Sequence, residues 1–418
     1  MPQMTVEQII ERHKIAQNRK DDFRSLYEDA MEFALPQRNL YGGEYEGKVG
    51  GKKKMTRVFD STAINSTQRF ANRLQSGIFP PQRKWCRLEP GTEIPMNRKA
   101  QAQQVLDIYN DKMFAVLKQS NFDIAMGEFL LDLSVGTAVM LVQRGDAVNP
   151  INFIPVPQYL VCFEEGANGQ VDNVYRKMRI KGESIQQQWK DADIPEDLQK
   201  QIMDKPTAEV DLIEATIYNY DNGDYGYYVI HEKSKSQLVY RKKKTSPWVV
   251  SRYMKVAGEI YGRGPVLTAL PDIKTLNKTK ELLLKNASLA ITGVYTAADD
   301  GVLNPSTIKI TPGAIIPVAR NGGPQGEALK PLPRAGDFNV SQIVINDLVQ
   351  SIKRTLLDES LPPDNMSVRS ATEVVERMKE LAQNLGSAFG RLINETMIPL
   401  VTKILEVMDE DGIDRKST

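Results

Sequence analysis

Apolar residues recur at three- and four-residue steps through residues 5–34, where Ile9, Ile10, Ile15, Phe23, Leu26, Tyr27, Met31 and Phe33 stand among many charges. That period predicts one or two amphipathic helices, and Pro36 stops them. Residues 41–54 (YGGEYEGKVGGKKK) carry no apolar period and read as a surface loop with a basic end. Helical spacing resumes from Asp60 to Phe79, with Asp60 or Ser61 as the cap and Pro80-Pro81 as the stop. It returns from about Arg98 to Ser120. The apolar run Ile124–Val142 contains Glu128, Asp132, Gly127 and Gly136, so it reads as a core helix followed by a strand rather than a membrane span. From Asn149 to about Val256 the pattern becomes short β runs, broken by helices near 182–190 and 196–203, with turns at 166–169 and 221–224. The fold class predicted is α+β.

The last third is patterned differently. A helix from about Ala269 to Thr292 has Ile273, Leu276, Leu283, Ala287 and Ala290 on an apolar face, with Lys274, Lys278, Glu281 and Lys285 forming a second, mostly basic stripe. A returning helix, about Phe338 to Glu359, has Ile345, Leu348, Val349, Ile352 and Leu356 on one face and Lys353 and Arg354 off it. Between them residues 301–336 hold short β-type runs, including Ile308, Ile310, Ile315 and Ile316, among Pro and Gly breaks. Residues 360–369 (SLPPDNMSVR) form a polar loop, after which Ser370 and Glu373 make a capping-box pattern. The helix that follows keeps near-heptad spacing to about Met408, with a kink expected at Pro399.

Composition narrows the functions available. The 418 residues are enough for two or three domains. With 54 Lys plus Arg against 53 Asp plus Glu, net charge is +1, so any electrostatic function depends on local arrangement. Two cysteines, Cys86 and Cys162, allow neither a disulfide framework nor a cysteine-rich zinc site, and they read as plain core residues. Two histidines, His13 and His231, leave little for acid–base chemistry or metal ligation. The N-terminus turns polar at once, without a secretory h-region, which predicts a chain that stays in the cytoplasm where it is made.

No catalytic pattern assembles. Residues 42–49 resemble a phosphate-binding loop until Val49, which lacks the hydroxyl that would ligate magnesium, and no strand precedes them. Acidic groups such as Asp191, Asp193, Glu196 and Asp197, or Asp299 and Asp300, read as solvated surface. The enzyme alternative is a metal-dependent phosphoryl-transferase using such clusters. Tyr225, Tyr227, Tyr228 and Trp248 lie in β-patterned runs and read as sheet and core residues rather than base-stacking platforms. The lysine stripe reads as a solvated helix face in a monomer, but repeated around a ring it would make bands of positive charge.

Ordered blocks then carry a resemblance. Asp60–Ser66, Ala71–Gly77, Phe79–Trp85, Gly136–Val139, Pro247–Arg252, Gly258–Pro265, Leu270–Asn277 and Ala371–Val374 together resemble the head-to-tail connecting (portal) proteins of short-tailed bacteriophages, over about residues 5–408. The resemblance implies a non-enzymatic ring, usually of twelve subunits, at one capsid vertex of the virion, assembled in the bacterial cytoplasm. Its axial channel would pass double-stranded DNA non-specifically during packaging and ejection, with no cofactor, metal or membrane. Implied partners are the terminase large subunit, a tail adaptor, and the major capsid and scaffolding proteins. The layout implied is a wing (1–264), a stem helix (265–292), a small α/β clip (293–336), a second stem helix (337–359), a tunnel loop (360–370), a long kinked helix (371–408) and a short tail (409–418). A C-terminal crown or barrel would be short or absent. Candidate channel residues are Lys274, Lys278, Lys285, Lys353 and Arg354. Asp364, Asn365, Met366, Ser367 and Arg369 fall in the tunnel loop, and Ile308, Ile310, Ile315 and Ile316 in a partner-docking clip.

Overall fold

Thr5 opens the first helix, α1 (Val6–Ala34): its hydroxyl accepts the Gln8 N–H while the Gln8 side chain accepts the Thr5 N–H, so two otherwise orphaned donors are satisfied. The computed structural model describes residues 4–38, 57–292 apart from 82 and 147, 295–297, 329–331, 338–358, and 379–410 apart from 380 and 381. The glycine-rich segment 41–54 lies outside them.

Asp60 caps α2 (Thr62–Ile78) by accepting the Thr62 N–H at 2.8 Å, while Ser61 holds the N-cap position without a side-chain bond. Next come α3 (Met96–Gln119) and α4 (Phe122–Val135), and the apolar run passes directly from α4 into β1 (Thr137–Arg144), as its pattern predicts. The charges in that run have partners. Arg38 grips the buried Asp132 with two 2.8 Å bonds and reaches Glu128 at 3.1 Å, a bidentate arrangement that lets a carboxylate stay inside the core. Burial, with the Glu128 charge adding to it, pushes the Asp132 carboxyl up, and Arg38 opposes that.

The β runs become β2 (Ile151–Pro155), β3 (Val161–Glu165), β4 (Val171–Lys181), β5 (Glu209–Asn219), β6 (Asp224–His231), β7 (Ser236–Lys243) and β8 (Trp248–Arg252). The two expected interruptions are α5 (Gly182–Gln188) and α6 (Glu196–Asp204) between β4 and β5. Strands β3 to β7 form one antiparallel meander, and β1 pairs antiparallel with β2 and β8 in a second sheet. Tyr227, Tyr228 and Trp248 are buried in these sheets; the Trp248 indole donates to Thr216 and the Tyr227 hydroxyl to the buried Glu214. Cys162 is buried and Cys86 partly so, both free, and burial pushes the Cys86 thiol up to about 12. His13 is 3% exposed beside the Tyr175 ring.

Why the sequence blocks have their glycines is visible where β1 meets the segment before the next helix. The Gly262 N–H donates to Thr137 Oγ1 at 2.8 Å, the Gly264 N–H to the Val135 carbonyl at 2.8 Å, and the Tyr27 hydroxyl to the Gly262 carbonyl. A Cβ on Gly262 would stand 2.4 Å from the Gly136 carbonyl oxygen, and one on Gly264 2.1 Å from that of Ser134. Only glycine permits two backbones to approach this closely.

Helix α7 (Pro265–Thr292) starts four residues before the expected Ala269. Pro265 suits a first helical turn because its missing N–H has no intrahelical acceptor there. Pro271 falls inside the helix, so the apolar period continues across it. Two short strands, β9 (Tyr295–Ala297) and β10 (Leu329–Pro331), pair antiparallel at the base of the insert, and α8 (Phe338–Thr355) follows. Helix α8 is shorter than the expected run to Glu359. The Leu357 N–H bonds the Arg354 carbonyl, the Asp358 N–H bonds the Lys353 carbonyl, and Leu357 takes φ 54°, a left-handed helix end usually given to glycine.

The expected continuous last helix is broken. Within its described part Gly386 adopts φ 54°, then α9 (Ser387–Leu392), a π-helical turn (Ile393–Met397) and α10 (Ile398–Glu410) follow. Pro399 cannot donate to residue 395, and the wide turn stands immediately before it. Leu392, Leu400 and Ile404 pack with Phe70, Phe122 and Phe129 in one buried cluster; a second joins Tyr27, Phe163 and Tyr261 to Leu270, Ile273, Ile352 and Leu356 and so roots α7 and α8 in the body.

Candidate functional site

Helix α7 positions the basic stripe. Ile273 and Leu276 are buried, so at about 100° per residue Lys274, Lys278, Glu281 and Lys285 share an edge turned away from that face. All three lysines are there together, as expected, but none stands alone. Lys274 pairs with Asp29 of α1, and Glu281 accepts from Lys278 at 2.9 Å and Lys285 at 2.6 Å. Those two ammonium groups, Lys285 first, bring the Glu281 carboxyl down to about 2. Three lysines therefore share two carboxylates. The edge borders a cleft of about 470 Å³, lined by Phe33, Arg57, Phe59 and Asn277 together with Asp29 and Lys274.

Lys353 and Arg354 are not part of that edge. Ser351 donates to Asp272 at 2.6 Å, which marks the sides on which α8 and α7 face each other. From those marks Lys353 lies on the side of α8 remote from α7, about 160° round, and the α7 lysines lie on the side of α7 remote from α8. Among the described residues neither Lys353 nor Arg354 has an ion-pair partner, and Arg354 is exposed. The five cations thus form two separate groups. Asp364, Asn365, Met366, Ser367 and Arg369, like Ile308, Ile310, Ile315 and Ile316, lie outside the described residues.

Two residues that hold the helix pair in place, Asn277 and Asp358, and one that ties the body together, Arg252, escaped the sequence reading. Asn277, 8% exposed, accepts from the Phe59 N–H at 2.6 Å and the Asp60 N–H at 3.3 Å, and donates to the Arg57 carbonyl at 2.9 Å. Lys280 adds a 3.1 Å pair to Asp60. The available signal was an amide four residues after Ile273, on a face that should have been apolar. Asp358, 2% exposed at the end of α8, takes the Ser66 hydroxyl at 3.1 Å and Arg69 at 3.3 Å, with Arg73 at 3.6 Å. No local pattern links it to α2. Arg252, 1% exposed, binds Glu395 of the π turn at 2.7 Å, the Gly169 carbonyl at 2.8 Å and Glu165 at 3.4 Å.

Of the acidic groups weighed for metal chemistry, Asp299 and Asp300 lie outside the described residues. Asp191 is held by Arg241, and no group of three or more His, Cys, Asp or Glu among the described residues could hold a metal ion. No helix among the described residues is long and apolar enough to cross a membrane.

The chain is thus a mixed α/β body in which an antiparallel helix pair is rooted, with the α7 lysines paired to nearby carboxylates. The family model for the bacteriophage head to tail connecting protein matches residues 6–413, and the chain belongs to that family. It is similar to the portal protein of Escherichia phage T7, 21% identical over 354 residues that make up 80% of this chain and 63% of the relative. It is 20% identical to the portal protein of Enterobacteria phage T3 over 403 residues (93% of this chain, 72% of the relative), and 22% identical to a probable portal protein of Bordetella phage BPP-1 over 422 residues (94% and 73%). The chain therefore spans less than two thirds of the T7 relative's length. Among solved structures, a chain from the virion of a native gene transfer agent particle aligns with a TM-score of 0.35 and 11% identity, covering 89% of this chain and 92% of that one. At that score it carries no argument about this fold.

Proposed function

We propose that this chain is a phage portal: copies form a ring at one capsid vertex, through which DNA enters the head during packaging and leaves on ejection. Twelve copies are expected from the resemblance, with residues 1–264 as wing, α7 and α8 as stem, 293–336 as clip, 360–370 as tunnel loop and 371–408 as the helix returning to the wing. The clip docks the terminase large subunit and later a tail adaptor, while scaffolding and major capsid proteins receive the ring. The protein acts in the virion and assembles in the host cytoplasm. Its role is to conduct DNA, not to make or break bonds.

The observation that carries this reading is the family match over nearly the whole chain, joined to portal relatives. The electrostatics agree with it. A conduit must contact phosphates weakly enough for DNA to slide, and lysines already shared with carboxylates attract a polyanion less than bare ones do. With about 28 residues at about 1.5 Å each, α7 is roughly 42 Å long, enough to line a tunnel.

Two deletions test the parts separately. Removing residues 301–330 abolishes terminase and adaptor binding while rings still form; unchanged binding refutes the clip assignment. Shortening residues 361–368 impairs packaging or retention of DNA in rings of normal mass; normal filling refutes the tunnel-loop role. Neutralising Lys278, Lys353 and Arg354 changes the salt dependence of packaging if the pore holds DNA, and leaves it untouched if it does not.

A further inference from the structure

Large aliphatic side chains are exposed on two opposite faces of the α7–α8 pair. On α7, Leu282 is 50% and Leu284 55% exposed; on α8, Ile343 is 68% exposed. Leu282 comes nine residues after the buried Ile273, and Ile343 nine before the buried Ile352, so both stand about 180° from the faces rooted in the body. Leu284 stands about 20° from Ile273, on the body-facing side but beyond the body's cover.

The two helices run antiparallel, since Asp272 near the start of α7 bonds Ser351 near the end of α8. Measured from that bond, Leu282 lies about 15 Å along and Ile343 about 12 Å, so they form one apolar patch on the far face. Asp347 lies on the same side about 6 Å along, exposed and without an ion pair among the described residues. On the near face Leu284 lies about 18 Å along and Lys280 about 12 Å, with the Lys280 side chain still 35% exposed beside Asp60. Each face thus has an aliphatic group with a charge about one helical turn nearer the body, and the charges are opposite.

We propose that the far face of one copy, carrying Leu282, Ile343 and Asp347, packs against the near face of the next, carrying Leu284 and Lys280. This rests on the ring reading and adds its seam. Sliding one pair by about 4–5 Å brings aliphatic to aliphatic and Asp347 to Lys280 together. Because the two patches differ and lie on opposite sides, the contact is head-to-tail, the type that closes rings. The α7 lysine edge and the remote α8 edge with Lys353 are then left to face the axis and the outside.

The test uses the full chain with Leu282→Asp and, separately, Leu284→Asp. Both sites are exposed in the single chain, so circular dichroism and melting stay as in the unaltered protein. Each variant alone loses the ring and runs as a single chain by mass photometry. An equimolar mixture gives dimers and stops, because one variant keeps a working near face and the other a working far face. Rings at normal yield from either variant, or a mixture that stays monomeric, overturn the proposal. Unaltered protein that forms no ring in the same assay overturns the ring reading, and the seam with it.

Discussion

Arg252 and Lys278 are cations of the same chain in opposite circumstances. Arg252 is buried to 1% exposure and directs its donors to Glu395, Glu165 and two backbone carbonyls, joining β8, the β3–β4 hairpin and the π turn. Lys278, 63% exposed, shares one surface carboxylate with Lys285. The body around Arg252 pairs its buried charges internally and docks backbone on backbone at Gly136, Gly262 and Gly264. The α7–α8 pair instead leaves aliphatic groups uncovered and pairs its α7 lysines at the surface. A region built the first way is complete in one chain, and a region built the second way calls for neighbours. Substitutions in the two regions should therefore report on different things, folding in one and assembly or DNA passage in the other.

The largest effect expected is from Arg252→Ala. It leaves Glu395 with Arg391 and Glu165 with Lys255, but removes the fully buried guanidinium that both share, its bonds to the Gly169 and Ile260 carbonyls and the volume it fills, and stability should fall by about 3–5 kcal/mol in urea unfolding. A loss under about 1 kcal/mol would mean the body does not depend on that junction.

Next is a pH effect from the body. Burial, helped by Lys20 and opposed by Glu232, brings the His13 imidazole down to about 4 from its ordinary 6.5. The unfolded chain therefore binds a proton that the folded chain refuses between those values, so stability is lost as pH falls from about 6.5 through about 4, by up to about 3 kcal/mol. His13→Gln should flatten this part of the stability profile, and an unchanged slope would assign the acid sensitivity elsewhere.

Smaller again is Gly262→Ala, whose added methyl meets the Gly136 carbonyl oxygen and the Arg252 side chain. Overpacking of that kind costs about 1–3 kcal/mol, readable as a lower melting temperature. The smallest effect is at the helix pair. Lys285→Gln leaves Glu281 with Lys278, so melting should not move, whereas the same change should alter the salt dependence of DNA packaging if that edge faces the channel. A melting shift as large as that of Gly262→Ala would erase the distinction between the regions.

Much of the architecture was legible because its signals are local. Alternation and period placed α1 to α4, the β runs and the helix pair, and the charged residues in the run 124–142 correctly argued against a membrane span. The misreadings have physical causes. Gly386 ends a helical stretch through a left-handed backbone that a heptad count does not register, and the apolar period of α7, read from about Ala269, does not reach the first turn that Pro265 opens. In the candidate site the α7 lysines could be placed on one edge by spacing alone. Their partner Asp29 is 245 residues from Lys274, and the separation of Lys353 from that edge depends on how two helices pack. Asp358 likewise meets Ser66 from 292 residues away, a contact that only the folded chain defines.

Whether many copies of this chain close a ring around a channel is read from the native mass and rotational symmetry of the purified protein, by mass photometry and negative-stain electron microscopy. The expected result is a ring with an axial hole and twelvefold symmetry, at twelve times the 47.0 kDa chain mass, about 564 kDa. A single chain of 47.0 kDa at every concentration, unchanged when scaffolding protein is added, would contradict it.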